Sequence, residues 1–295
     1  MGKCNKCGKE LTTEDRDLYI CSECQSIKRM SREHLRLSPS KIDTYLNCGE
    51  LYRRRYICNE IIPPGMALLR GSSVHKGLEV NHKQKIESKV DIPKSQILDV
   101  ISAHFDNMKN KQGFSLNKDE QSAGAEKSLG QTKDDAIKLG GLYSDEIAPS
   151  IIPASVEDKI EIKVSDNVTL VTVIDLTTAE EKIKEFKTGK RRTQEWADSD
   201  RQLTFESLAY KAKHNKQPKG IEGIILVNNK TPVVQTLRSY RSKDDYEVMI
   251  NCMNTVIDGL TKGVFMPANS GWWGCSPVWC GYYSTCKYVS KRRIK

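Results

Sequence analysis

The chain of 295 residues is 29% charged and 38% hydrophobic, with a formal net charge of +9, a balance too polar for a membrane-embedded protein. That length holds one large core, or one core with a small appendage, and no apolar run approaches a bilayer-spanning helix. Met1-Gly2-Lys3-Cys4 does not begin a signal peptide, so a cytoplasmic location is expected, and the positive charge suits a polyanionic partner.

The chain has ten cysteines, which in a reducing compartment are expected to ligate metal rather than to form disulfides. Cys4 and Cys7, then Cys21 and Cys24, make two C-x2-C turns. Such turns each present two thiolates, and a pair of them completes a tetrahedron around Zn²⁺. A zinc ribbon over residues 1–30 is therefore expected, its folding energy supplied by the metal. Lys28, Arg29 and Arg32 just beyond it hint at DNA. Cys58 and Cys252 read as ordinary small buried residues.

Ser38 followed by Pro39 is a helix-start signal, with Ile42, Tyr45 and Leu46 facing inward and the helix continuing past Cys48 to Tyr56. After a Pro63-Pro64-Gly65 turn, a small-residue helix start over Arg70–Glu79 carries His75. His34, His82, His104 and His214 have no comparable context and receive no role. Residues 80–150 read as a helical, solvent-rich insert: Ile97, Leu98, Ile101, Phe105 and Met108 mark one helix, and Ile137, Leu139, Leu142 and Tyr143 another. Between them, residues 113–131 are expected to form a mobile loop or short turn.

The sheet begins at Pro153–Val164, where apolar residues alternate and Glu157 is either a site acid or a solvated strand carboxylate. A β-branched run then reaches Asp175, and a second short run ends in Glu185-Phe186-Lys187, which reads as a β-hairpin. Strand side chains alternate faces, so Glu185 and Lys187 share one side while Phe186 takes the other. If Asp175 ends the neighbouring strand, two carboxylates and an ammonium converge, and carboxylate oxygens are the ligands a hard ion such as Mg²⁺ takes alongside phosphate. The bland alternative is a solvent-facing strand with alternating charges. Lys190, Arg191 and Arg192 in the following turn are either a solvated loop or a phosphate clamp. A helix over Asp198–Lys211, strands at Gly223–Val227 and Val233–Leu237, and a helix over Asp244–Leu260 complete this part. Cys275, Cys280 and Cys286 then stand among tryptophans and tyrosines, ahead of a basic tail at 291–295.

Asp175 followed by Glu185-x-Lys187 resembles the signature of the PD-(D/E)XK nuclease superfamily. Ser38-Pro39-Ser40 with Tyr45 and Cys48, Gly71-x-x-x-His75, and Gln202 on the helix after the Glu-x-Lys strand narrow the resemblance. It is to RecB-type and CRISPR-adaptation-type exonuclease domains with an iron–sulfur cluster, in a phage-like form, over residues 37–290. The resemblance implies an α/β restriction-endonuclease-like fold, a mixed central sheet flanked by helices, here with a helical insert at about 80–150 and a small N-terminal zinc ribbon. It implies a metal-dependent DNA nuclease, an exonuclease, in which His75, Asp175 and Glu185 hold Mg²⁺ or Mn²⁺. Lys187 would position the attacking water, and Gln202 would orient substrate or water. Cys48, Cys275, Cys280 and Cys286 would bind a [4Fe–4S] cluster as a structural staple, with Zn²⁺ the alternative occupant. Departures from the pattern are Gly49 in place of proline, Thr172 in place of glycine, Glu206 in place of tyrosine, and C-x4-C spacing at Cys275 and Cys280. The implied partners are single- or double-stranded DNA and recombination or replication proteins, with no membrane, in the host cytoplasm if phage-encoded. The open alternatives are a non-catalytic DNA-binding module and an endonuclease or RNA-acting enzyme of the same fold.

Overall fold

The structure is a computed structural model that describes residue 10, residues 34–269 and residues 271–290. Cys4, Cys7, Cys21 and Cys24, the basic residues Lys28, Arg29 and Arg32, and the 291–295 tail lie outside the described residues. The chain divides into two compact units, Met1–Ile61 with Glu161–Val171 and Glu247–Lys295, and Ile62–Ile160 with Thr172–Tyr246.

In the first unit, β1 (Leu35–Leu37) pairs in parallel with the start of β3 (Val168–Thr178), Leu37 opposite Leu170. Helix α1 (Pro39–Asn47) starts where expected: the Ser38 hydroxyl accepts from the Lys41 N–H at 3.3 Å, and Pro39 occupies the first turn. The helix does not run on to Tyr56. It ends at Cys48, whose backbone is extended, and restarts as α2 (Gly49–Tyr52) before a π-helical turn at Arg53–Ile57. The break coincides with a close tertiary approach of backbone. A Cβ on Gly49 would stand 2.7 Å from the Met266 nitrogen, so no side chain fits there, a proline ring included.

The second unit opens with four helices, α3 (Met66–Ser88), α4 (Lys94–Gln112), α5 (Lys118–Ala123) and α6 (Ala125–Glu146). The loop expected over 113–131 is helical from Lys118. Asn117 and Glu120 form a reciprocal capping box, each side chain taking the other's backbone N–H at 3.0 and 2.8 Å. Strand β2 (Pro153–Ser165) pairs with β3, β3 runs antiparallel to β4 (Lys182–Gly189), and β4 lies parallel to β5 (Gly220–Val227). Antiparallel β6 (Val233–Ser239) closes this side of the sheet. The parallel pair requires a crossover, supplied by α7 (Gln194–Ser199) and α8 (Arg201–His214). These replace the single helix expected over 198–211: Asp200 breaks it and caps α8, its carboxylate accepting from the Leu203 N–H at 3.1 Å. Every residue of β5 is buried, as befits a strand covered on both faces.

The helices of the expected insert are not peripheral. Ile97, Ile101, Leu139 and Tyr143 share one core with Leu176, Phe186 and Ile224 of the sheet. The last described long helix is α9 (Lys243–Thr261). No helix among the described residues is long and apolar enough to cross a membrane.

Candidate active site

The hairpin register places the acids. Leu176 lies opposite Lys184 and Thr177 opposite Ile183, which brings Asp175 beside Glu185 and Phe186. The Phe186 N–H donates to Asp175 Oδ2 at 3.0 Å, while its ring turns to the other face of the strand, stacked on His82 with centroids 5.8 Å apart. Glu185 and Lys187 share the first face, as period-2 alternation demands: Lys187 Nζ donates to Glu185 Oε1 at 2.5 Å.

Helix α3 supplies the opposite wall. Gly71 lets it approach the end of β4, where an added Cβ would lie 3.2 Å from Thr188 Oγ1. One turn on, His75 Nδ1 stands 3.5 Å from Asp175 Oδ2. Gln202, in the first turn of α8, completes the group. Its Nε2 donates to Glu185 Oε1 and its Oε1 accepts from Lys187 Nζ, both at 2.8 Å. The five residues His75, Asp175, Glu185, Lys187 and Gln202 thus come together. They adjoin a cavity of about 550 Å³ lined by His75, Asp175 and Lys187 together with His104 and Glu157.

Charge sets the character of the site. Burial, then the neighbouring Glu185 charge, pushes the Asp175 carboxyl well above its usual range, against the Phe186 N–H and Lys187. Burial lowers the His75 pKa, with Glu185 opposing. Burial acts to lower that of Lys187 as well, but the Glu185 charge and hydrogen bond outweigh it and hold the ammonium above its ordinary value. Glu157, at φ 51° inside β2, is raised by burial and by Glu79.

Lys190, Arg191 and Arg192 do not line this cavity. They are exposed beyond β4, and the Arg192 guanidinium lies over the Trp196 ring, 5.6 Å from its centroid. Glu206, met in the sequence only as a departure from the family's tyrosine, is fully buried one turn beyond Gln202, and His104, given no role there, stands on the cavity wall.

Among the described residues no group of three or more His, Cys, Asp or Glu side chains is placed to hold a metal ion, neither at the hairpin nor among Cys48, Cys275, Cys280 and Cys286. Even so, the donors at the hairpin fit a divalent cation. Glu185 Oε2 is buried without a hydrogen-bond partner, and a buried carboxylate oxygen demands a cation or a donor. In the first unit, Cys48, Cys275, Cys280 and Cys286 line one cavity of about 30 Å³, an all-thiol donor set of the kind that iron–sulfur clusters and Zn²⁺ accept. Cys48 Sγ accepts from the Leu51 and Ala268 N–H groups at 3.4 and 3.3 Å, and burial raises the Cys280 pKa, with the other three thiols adding to it. Cys58 and Cys252 are half-buried rather than buried, and the Cys58 thiol takes an N–H from Arg53 at 3.0 Å.

No curated protein matches the sequence. Among solved structures, a Eubacterium rectale protein named a "putative exonuclease" aligns at TM-score 0.51 and 11% identity, over 98% of this chain and 95% of that one. The protein SSO0001 aligns at TM-score 0.35 and 9% identity, over 90% and 95%. The first is a likeness of fold alone and the second carries no argument. The family match is of another kind, for it runs through residues 36–287 and includes every member of the site just described. By that match the chain belongs to the PD-(D/E)XK nuclease superfamily.

Proposed function

We propose that the chain is a Mg²⁺- or Mn²⁺-dependent deoxyribonuclease, acting as an exonuclease. One observation carries the metal-dependent reading: a buried Glu185 oxygen without a partner, beside an Asp175 whose burial disfavours its charge. Two such acids facing a polyanion serve no purpose in simple binding. His75, Asp175 and Glu185 would hold the cation, and when bound it would polarise the scissile phosphate and offset charge on the leaving oxygen. Lys187, charged and fixed between Glu185 and Gln202, orients the attacking water and faces the negative charge that grows on the phosphate. Gln202 holds that ammonium in place. Hydrolysis then adds water across the P–O bond, leaving one phosphate-ended and one hydroxyl-ended strand. The exonuclease part draws support from the name of the E. rectale neighbour.

Cys48, Cys275, Cys280 and Cys286 would bind a [4Fe–4S] cluster in a structural role, supported by their common cavity. The zinc ribbon over residues 1–30 rests on the C-x2-C spacing. DNA, with recombination or replication proteins, remains the proposed partner set, and the net charge of +9 supports a polyanion.

End-labelled single- and double-stranded DNA, incubated with the full chain and Mn²⁺, tests the reading. The parent is expected to shorten DNA from its ends, and Asp175→Ala and Lys187→Ala to lose this by about a thousandfold, with DNA affinity in EDTA unchanged. Equal inertness of parent and variants would make the chain a binding module. Cutting of closed circles would make it an endonuclease, and cutting of RNA alone would replace the substrate.

A further inference from the structure

Glu206 has no part in the chemistry above, yet it is among the most completely buried charged residues of the described chain, at 0% exposure. It sits one turn after Gln202 on α8, so the two side chains lie on the same helix face. Gln202 Nε2 donates to Glu206 Oε1 at 2.8 Å and to Glu185 Oε1 at the same distance. A carboxamide has two N–H bonds and one carbonyl. Here both N–H bonds go to carboxylates, and the carbonyl goes to Lys187 Nζ at 2.8 Å. Every polar atom of Gln202 is therefore assigned, and the assignment fixes which end of the amide faces the lysine.

Without Glu206, one N–H would lose its acceptor in a buried position. The amide would then be held by Glu185 and Lys187 alone, with its plane freer to tilt and carry the carbonyl off the Lys187 ammonium. Glu206 carries a further oxygen, Oε2, that is buried and unpartnered. Its neighbours Leu203, Phe205 and Ser207 are buried with it. We infer that Glu206 is a positioning residue, whose Oε1 locks the Gln202 amide so that its carbonyl holds Lys187 against the site. It touches neither substrate nor reacting atoms. The inference rests on the nuclease reading for its consequence, while the lock itself consists of hydrogen bonds within the chain.

Two measurements on the full chain test it. In metal-free protein, the Gln202 side-chain amide protons, assigned by their loss in Gln202→Ala, are expected to be protected from exchange in the parent and in Glu206→Gln, which keeps an acceptor. In Glu206→Met, similar in volume and without an acceptor, one of them is expected to lose protection. In the DNA assay, Glu206→Met is expected to lower kcat by about a hundredfold, the cost of misplacing a reacting-centre group, with KM unchanged. Glu206→Gln should stay within about threefold of the parent, and Glu206→Met should add nothing in a Gln202→Ala background, since one lock is removed once. Unchanged protection in Glu206→Met overturns the inference, as does multiplication of the two losses. A parent without nuclease activity would sink the nuclease reading alone, because the exchange measurement needs no turnover.

Discussion

The Phe186 N–H donates to Asp175 Oδ2 at 3.0 Å, so the backbone between Glu185 and Lys187 itself holds the first acid of the site. The same Asp175 is raised well above the ordinary carboxylate range, by burial first and Glu185 second. A raised folded-state pKa means that the ionised form costs stability above the folded value, and that the cost vanishes below the unfolded one. Asp175→Asn keeps an acceptor for Phe186 and removes the charge. In EDTA near neutral pH it is therefore expected to melt a few degrees above the parent, the gain fading as pH falls to the ordinary carboxylate value. Asp175→Ala strands the Phe186 N–H and should lose roughly 1–3 kcal/mol relative to Asp175→Asn. Thermal unfolding of the three proteins checks the order.

Packing of the helices beside the sheet turns on Ile101, which is 0% exposed. A Cβ on Gly140 would meet Ile101 Cδ1 at 2.2 Å, and one on Gly77 would meet Ile101 Cγ1 at 2.6 Å. Gly140→Ala is expected to destabilise by about 1–3 kcal/mol through overpacking. Ile101→Val removes the Cδ1 atom, so in the double variant it should restore part of that loss instead of adding to it. Urea unfolding of the two single variants and the double gives the coupling; strict additivity would place the clash elsewhere.

His82 lies behind the site, its Nε2 2.8 Å from the Tyr143 hydroxyl. Burial pushes its pKa down to about 4, against the pull of Asp91. Between the ordinary value of about 6.5 and that folded value, the unfolded chain binds the extra proton, so stability is complete above the window and drains as pH falls through it. The full loss amounts to roughly 3 kcal/mol. His82→Gln has no such titration. Denaturant unfolding in EDTA from pH 7 to pH 4 is expected to show the parent losing stability faster than His82→Gln, and parallel curves would refute it.

The two-residue alternation of β4 made Glu185 and Lys187 legible in the sequence, and the β-branched run did the same for Asp175, because a strand's period fixes facing without reference to the rest of the fold. His75 and Gln202 were reached through resemblance alone; no local pattern aims a helix residue at a distant strand. Glu206 stood out only as a departure from the tyrosine position, and its role was not legible because Leu203, Thr204, Phe205, Glu206 and Ser207 are buried in succession. A helix covered on several sides has no polar face against which a misplaced acid would stand out. The break at Cys48 escaped for a related reason, since it coincides with a close approach at Gly49 of backbone from Met266, far along the chain. The 118–123 helix was readable from Asn117 and Glu120 as a capping box, but the Gly, Ser and Lys composition of residues 113–131 masked that signal.

The cysteine cavity of the first unit yields a prediction independent of any DNA assay. Cys48 is both the N-cap of α2 and a thiol that accepts two backbone N–H groups, which fix where its sulfur points. Cys275, Cys280 and Cys286 share its cavity. Anaerobically purified protein is therefore expected to be brown and to carry about four iron and four acid-labile sulfide per chain. Cys48→Ala and Cys275→Ala should each bleach it and lower the melting temperature, because metal bound only by the folded state contributes its binding energy to folding. Cys252→Ala, at a cysteine that does not line this cavity, should leave the colour intact. Colourless protein containing zinc, whose loss follows Cys48→Ala, would hand the same four thiols to Zn²⁺, and metal content unaffected by all three substitutions would remove the cysteine site altogether.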